Sequence, residues 1–153
     1  MFHMDFFLVL DEKDSHAYET LHVPLSEEEK EFDEQVQALA KVTVDSLNVE
    51  LLSRASGKHI DGNEIKGSIA LLGAYLINTD LREEQVASIL SAFHAVQSIR
   101  STGSAQRKGA NYRKALKQFG LDGIPNSTKA KKLLLDLTQA LEMIAAVMRS
   151  GES

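Results

Sequence analysis

A chain of 153 residues, 43% hydrophobic and 25% charged, has the size and apolar content of one soluble domain with one core; it is neither polar enough for bulk disorder nor equipped with an apolar run long enough to span a membrane. It contains no Cys, which excludes a disulfide framework, a thiolate nucleophile and any metal site built on cysteine. The net charge of −5 is unevenly spread: residues 1–50 carry thirteen Asp or Glu against three Lys or Arg, and the rest of the chain nine against fourteen.

Residues 1–25 differ in character from the remainder of the chain. FFLVL and YETLHVPL are β-rich runs around the polar loop DEKDSHA, the pattern of a hairpin. Two strands alone are marginal in water, so this segment packs on the helices, pairs with another chain, or closes an upstream domain, the last being the preferred placement. The opening MFHMDFFLVL lacks the cationic stretch and small-residue cleavage site of a secretory signal, and a cytoplasmic location is expected.

Residues 26–150 read as a helical bundle. Ser26 with Glu29 three residues on has the spacing of a capping box, and the acidic run Glu27–Glu34 offsets the positive end of the helix it opens. Phe32, Val36, Leu39, Ala40, Thr43, Leu47 and Leu51 keep to the helical period, which predicts one helix to about Ser53. After SGKHIDGN a second helix presents Ile65, Ile69, Leu72 and Leu76, with Gly67 and Gly73 permitting close approach of a neighbour. A third, over about 81–100, repeats the period through Val86, Ile89, Phe93 and Val96, with His94 partly buried. Gly103 is the candidate left-handed residue that stops it, and Ser104 the cap of a fourth helix. That helix turns Tyr112, Ala115, Leu116 and Phe119 to the core and ends at Gly120 and Gly123. A fifth begins after Pro125, capped by Asn126 or Ser127, and apolar residues beyond its main stripe (Leu134, Leu135, Ala145, Val147) point to burial on two sides, in a dimer seam or at the centre of the bundle. Five such stripes predict an all-α fold.

The stretch Arg100–Phe119 holds Arg100, Arg107, Lys108, Arg113, Lys114 and Lys117 and no carboxylate. It is either a solvated face or a surface for an anion. Arg107 and Lys108, placed in the first turn of the fourth helix, oppose its dipole unless an anion sits between them; Arg100 and the free amides after Ser104 can converge on the same phosphate. Otherwise Arg100 caps the carbonyls of its own helix and Arg107 meets a carboxylate of the first. No P-loop, dinucleotide fingerprint, nucleophile elbow or HExxH spacing occurs, and neither metal nor cofactor is expected.

The segment SIRSTGSAQRKGANYRKAL, at the end of one helix and the start of the next in a small all-α domain, resembles the HEPN superfamily of nucleotide-binding domains. The resemblance covers roughly residues 26–148. Many members are dimeric, metal-independent ribonucleases, and others are binding modules of defence or toxin systems. Their motif is an Arg that holds the scissile phosphate and, four to six residues on, a His for general acid/base cleavage with the RNA 2′-OH. Arg100 matches the Arg, and Gln106 stands where the His belongs. The resemblance thus implies Arg100 and Gln106 at the catalytic positions and, with the local charge, Arg100, Ser104, Arg107, Lys108 and Arg113 around a phosphate. Glutamine exchanges no proton near neutral pH, so either the protein is a degenerate relative or Gln106 is an inactivating change. The expected function is binding of RNA or nucleotide phosphate by a homodimer away from membranes; the alternatives are a dimerisation or regulatory protein-interaction module and a live metal-independent endoribonuclease.

Overall fold

The computed structural model describes residues 6–7, 21–22, 25–56, 67–103 and 109–151. Among these it contains six helices and no strand: α1 (Glu29–Val42), α2 (Val49–Ser56), α3 (Ser68–Ile77), α4 (Glu83–Gly103), α5 (Ala110–Gln118) and α6 (Asn126–Gly151), with a 3-10 turn at Val44–Ser46. The all-α bundle expected from the amphipathic stripes is the observed architecture. The extra helix arises because the first stripe does not lie on one continuous rod.

The interruption has a local cause. Val42, Thr43 and Val44 are a β-branched run, poorly suited to a helix interior, and Thr43 leaves the helical region at φ −116°, ψ −81°. Hydroxyls then take the loose carbonyls of α1: Thr43 Oγ1 donates to Leu39 O at 2.6 Å and Ser46 Oγ to Lys41 O at 2.5 Å. Asn48 restarts the helix, its Oδ1 accepting the Leu51 N–H at 3.2 Å. The residues assigned to the stripe through Leu47 are still buried, and Leu51 partly so, because the turn swings Leu47 back to 2% exposure. There it forms an antiparallel bridge with Phe7, while Asn48 N–H donates to Phe6 O at 2.9 Å. Phe6 is 4% exposed and its ring lies 5.7 Å from that of Tyr75, so this point of the N-terminal segment shares the core of the helices. The predicted hairpin itself falls outside the described residues.

Helix α4 is the centre of the bundle, with α1, α3, α5 and α6 all packed on it. Val86, Ile89, Ala92, Phe93, Ala95, Val96 and Ile99 are buried around much of its circumference. The central place in the bundle, one of the two positions expected of the last helix, is therefore held by α4. On α6 the side formed by Ala130, Leu133, Leu137, Ala140 and Ile144 is buried, while Ala145 is exposed and Leu135 is 56% exposed. His94, expected to be partly buried, is on the exposed side of α4.

Capping departs from the expected pattern at both ends of the chain. Ser26 pairs with Glu31, not Glu29: the Leu25 and Ser26 amides donate to Glu31 Oε1 at 2.5 and 3.3 Å, and Ser26 Oγ donates to Oε2 at 3.1 Å. Loss of hydration pushes the Glu31 carboxyl up, but these bonds together hold it below its ordinary 4.5. Glu27 caps α6. Ser127 Oγ and N–H both donate to its carboxylate, the latter at 3.1 Å, and the Ser127 hydroxyl above all keeps this carboxyl below 4.5 as well. At the end of α5, Gly120 takes φ +70°, its N–H donates to Lys117 O at 3.2 Å and Leu121 N–H donates to Leu116 O at 2.7 Å, closing the helix in a Schellman motif.

Gly103 is the last residue of α4 and not a left-handed stop; positive φ among the described glycines occurs at Gly67, Gly120 and Gly123. Its lack of a side chain serves packing, since a Cβ there would lie 2.9 Å from Tyr112 Cε2. Gly67, by contrast, needs its conformation, φ +90°, and has nothing near it.

These placements fix the outcome of several substitutions. Gly103→Ala will lose about 1–3 kcal/mol in chemical denaturation through overpacking against the Tyr112 ring, whereas Gly73→Ala, whose Cβ meets only the side chain of the half-buried Leu90, with Cδ1 at 3.2 Å, will be neutral or gain up to about 1 kcal/mol from helix propensity. Glu27 and Glu31 bind a proton less readily when folded than when unfolded, so their contribution is complete above the ordinary value of 4.5 and is lost as pH falls through the lower folded values. Thermal melts of Glu27→Gln/Glu31→Gln will therefore lie below those of the parent at neutral pH and converge with them on acidification.

Candidate nucleic-acid interface

Two helix ends make the corner at which the cations collect. Ile99 of α4 is buried, and one residue further Arg100 emerges at the edge of the core. From α5, Tyr112, Ala115 and Leu116 turn inward, and the seat of the Tyr112 ring against Gly103 fixes how closely the two helices approach. With that side of α5 committed to the core, helical geometry turns Arg113, Lys114 and Lys117 outward, and all three are exposed.

Arg100 has an internal partner. Its Nη1 donates to Asp45 Oδ2 at 2.6 Å and its Nη2 to Asp45 Oδ1 at 2.9 Å, a bidentate pair with side chains 18% and 44% exposed. Nη2 also donates to Gln97 Oε1, one turn back on the same helix. The guanidinium thus neither caps the carbonyls of α4 nor stands open. It ties α4 to the 3-10 turn between α1 and α2, and its end-on edge, the one best shaped for a phosphate, is filled by a carboxylate.

Of the other residues assigned to the site, Arg113 is exposed on α5, while Ser104, Gln106, Arg107 and Lys108 lie outside the described residues. Helix α5 begins at Ala110 with Gly109 as its N-cap, so its first turn holds Arg113 and not Arg107 or Lys108. That turn contains no acidic residue. The conflict between a cation and the positive end of the dipole is therefore present, carried by Arg113. A second cost adds to it: Arg113 and Lys117 are spaced i, i+4 and Lys114 and Lys117 i, i+3, and like charges at these spacings destabilise a helix by about 0.2–0.5 kcal/mol per pair. None of the three forms an ion pair or hydrogen bond among the described residues. No Asp or Glu occurs in the sequence between Glu84 and Asp122 to relieve them.

Asp45 and Gln97 were not legible as site residues. The signal for Asp45 was the β-branched run before it, which marks a break and hence a turn able to reach another helix; the stripe through Thr43 and Leu47 masked it. No group of three or more His, Asp or Glu is placed to hold a metal ion, and no helix is long and apolar enough to cross a membrane, among the described residues. No protein-family model matches the chain, and no curated protein or solved structure is significantly similar to it.

The Arg100–Asp45 pair is bidentate and partly shielded, which places it above the median exposed ion pair. A double-mutant cycle with Arg100→Ala and Asp45→Ala, followed by urea denaturation, will give a coupling energy of about 1 kcal/mol; a value near zero would mean that the fork is not held in solution.

Proposed function

We propose that this chain is a HEPN-like module that binds RNA through its phosphates at the α4–α5 corner and has lost the chemistry of cleavage. The observation that carries this reading is the outward face of α5, where Arg113, Lys114 and Lys117 are exposed, mutually repulsive and without an internal counter-charge among the described residues. A polyanion removes the repulsion and the dipole conflict together. Such contacts hold the backbone and do not read sequence, and the resemblance of the surrounding segment to RNA-cleaving helical domains favours RNA as the polyanion. Arg100 then positions the corner through Asp45 and meets phosphate only where that carboxylate is displaced. Gln106 can donate or accept a hydrogen bond but cannot relay a proton, a contribution of about 10²–10⁴ in rate, so binding without turnover is the activity of the chain as it stands.

One observation favours a protein-interaction reading as the runner-up. The acidic α1 and the basic α5 each pack on α4, with Glu28, Glu29 and Glu34 exposed at the one and the three cations on the other. Two copies can therefore meet through complementary faces. Light scattering in the absence of RNA separates the readings, since a salt-sensitive dimer without RNA affinity belongs to the second alone.

In fluorescence anisotropy with a labelled single-stranded RNA, affinity will fall about twentyfold between about 50 and 200 mM salt, the counterion release expected for three phosphate contacts. Binding will be lost in the Arg113→Ala/Lys114→Ala/Lys117→Ala variant. Equal affinity in that variant, or no binding at low salt, contradicts the proposal. With chelator present the chain will leave RNA intact and Gln106→His will cut it.

A further inference from the structure

A cavity of about 520 Å³ opens at the N-terminal end of α4, far along that helix from the cationic corner. Its wall is apolar, built by Tyr75 of α3, Leu81 before α4, and Met143 and Val147 of α6, and its rim carries Asn78, Asp80 and Gln85. The volume falls in the range of small-molecule sites, about 300–1,000 Å³.

The rim has a definite chemical bias. Thr79, also at the rim, is fully engaged, its Oγ1 donating to Leu76 O at 2.6 Å and accepting the Leu81 N–H at 3.4 Å. The Asn78 amide spends one of its two donors on Ala74 O at 3.4 Å, which leaves one N–H and its carbonyl oxygen. Gln85 spends its oxygen on the Arg82 N–H at 2.9 Å, which leaves its amide donors. Asp80 is exposed and its carboxylate has no hydrogen bond or ion pair with a described residue. Acceptors therefore outweigh donors, and the one formal charge at the rim is negative. The helix ends point the same way. Helix α3 terminates at Ile77 with Asn78 as its C-cap, so the negative end of its dipole lies beside Asp80. The positive end of α4 is already offset by Glu83 and Glu84 in its first turn, and Arg82 turns to Glu84 at 3.6 Å.

An apolar wall beneath an acceptor-rich, negative rim selects a particular kind of molecule. We propose that this cavity binds a small ligand with a primary ammonium head, placed between Asp80 and Asn78, and an apolar body about the size of a fused ring, lodged against Tyr75, Met143 and Val147. The site is independent of the RNA-binding surface and stands or falls without it.

The protein contains no Trp, so an indole probe can be followed by its own fluorescence. Three probes share one body and differ only in the head: tryptamine (ammonium), tryptophol (hydroxyl) and indole-3-propionate (carboxylate). Tryptamine will show saturable anisotropy, tryptophol will bind at least about tenfold more weakly and indole-3-propionate more weakly still. Asp80→Asn, an exposed and conservative change, will reduce tryptamine binding to the level of tryptophol. Ala146→Phe, which fills the cavity from α6, will abolish binding of all three while circular dichroism retains the helical signal. No binding of any probe, equal binding of ammonium and carboxylate, or tryptamine binding unmoved by both variants would overturn the assignment.

Discussion

The structure depends on the burial of α4. A helix of 21 residues, about 30 Å long, with a broad side of buried apolar residues running its whole length must be covered by other helices along that side. Helices α1, α3, α5 and α6 supply the enclosure; α1, α5 and α6 do so with one apolar side, whereas α3 (SIALLGAYLI) is apolar along most of its length. The places with surface chemistry to offer then fall at the two ends of α4. At its C-terminal end Gly103 admits the Tyr112 ring and turns the cations of α5 to solvent; at its N-terminal end the turn through Asn78 and Asp80 leaves a cavity against α6.

Charge is distributed on this frame with separate purposes. The carboxylates of the first third of the chain are largely structural at the residues described: Glu31 closes the turn at Leu25 and Ser26, Glu27 caps α6 from a hundred residues away, and Asp45 holds Arg100. Each finds a donor inside the molecule. The cations of α5 find none among the described residues, and this asymmetry is the physical basis for assigning them an external partner. Arg100, the most conspicuous cation in the sequence, is the less available one, because it emerges where the core ends and there meets the Asp45 carboxylate in a bidentate pair.

The bundle was legible because its signals are periodic. The stripes through Phe32 and Leu39, through Ile89 and Phe93, and through Leu133 and Leu137 name residues that are buried, and Gly120 was readable as the end of α5. What escaped was non-periodic. The break at Thr43 is a contest between a stripe and a β-branched run, and the stripe survives the break because the 3-10 turn returns Leu47 to the core. Glu31 displaces Glu29 as the partner of Ser26 because the helix starts later than the motif implies. Gly103 reads as a left-handed stop; it is instead helical, and its missing side chain makes room for the ring beside it. The pairing of Asp45 with Arg100 and the cavity depend on contacts between segments distant in sequence, and the Gln97 contact on a side-chain rotamer, none of which periodicity reveals.

Backbone amides followed during titration with a short single-stranded RNA give the most direct test of the cationic corner. Chemical-shift changes will concentrate on the end of α4 and the length of α5, including Gly103, Gly109, Arg113, Lys114 and Lys117, and will diminish with added salt. Changes confined to α1 or to the cavity at the far end of α4, or none at an RNA concentration that saturates the anisotropy signal, would contradict the assignment of RNA to this surface.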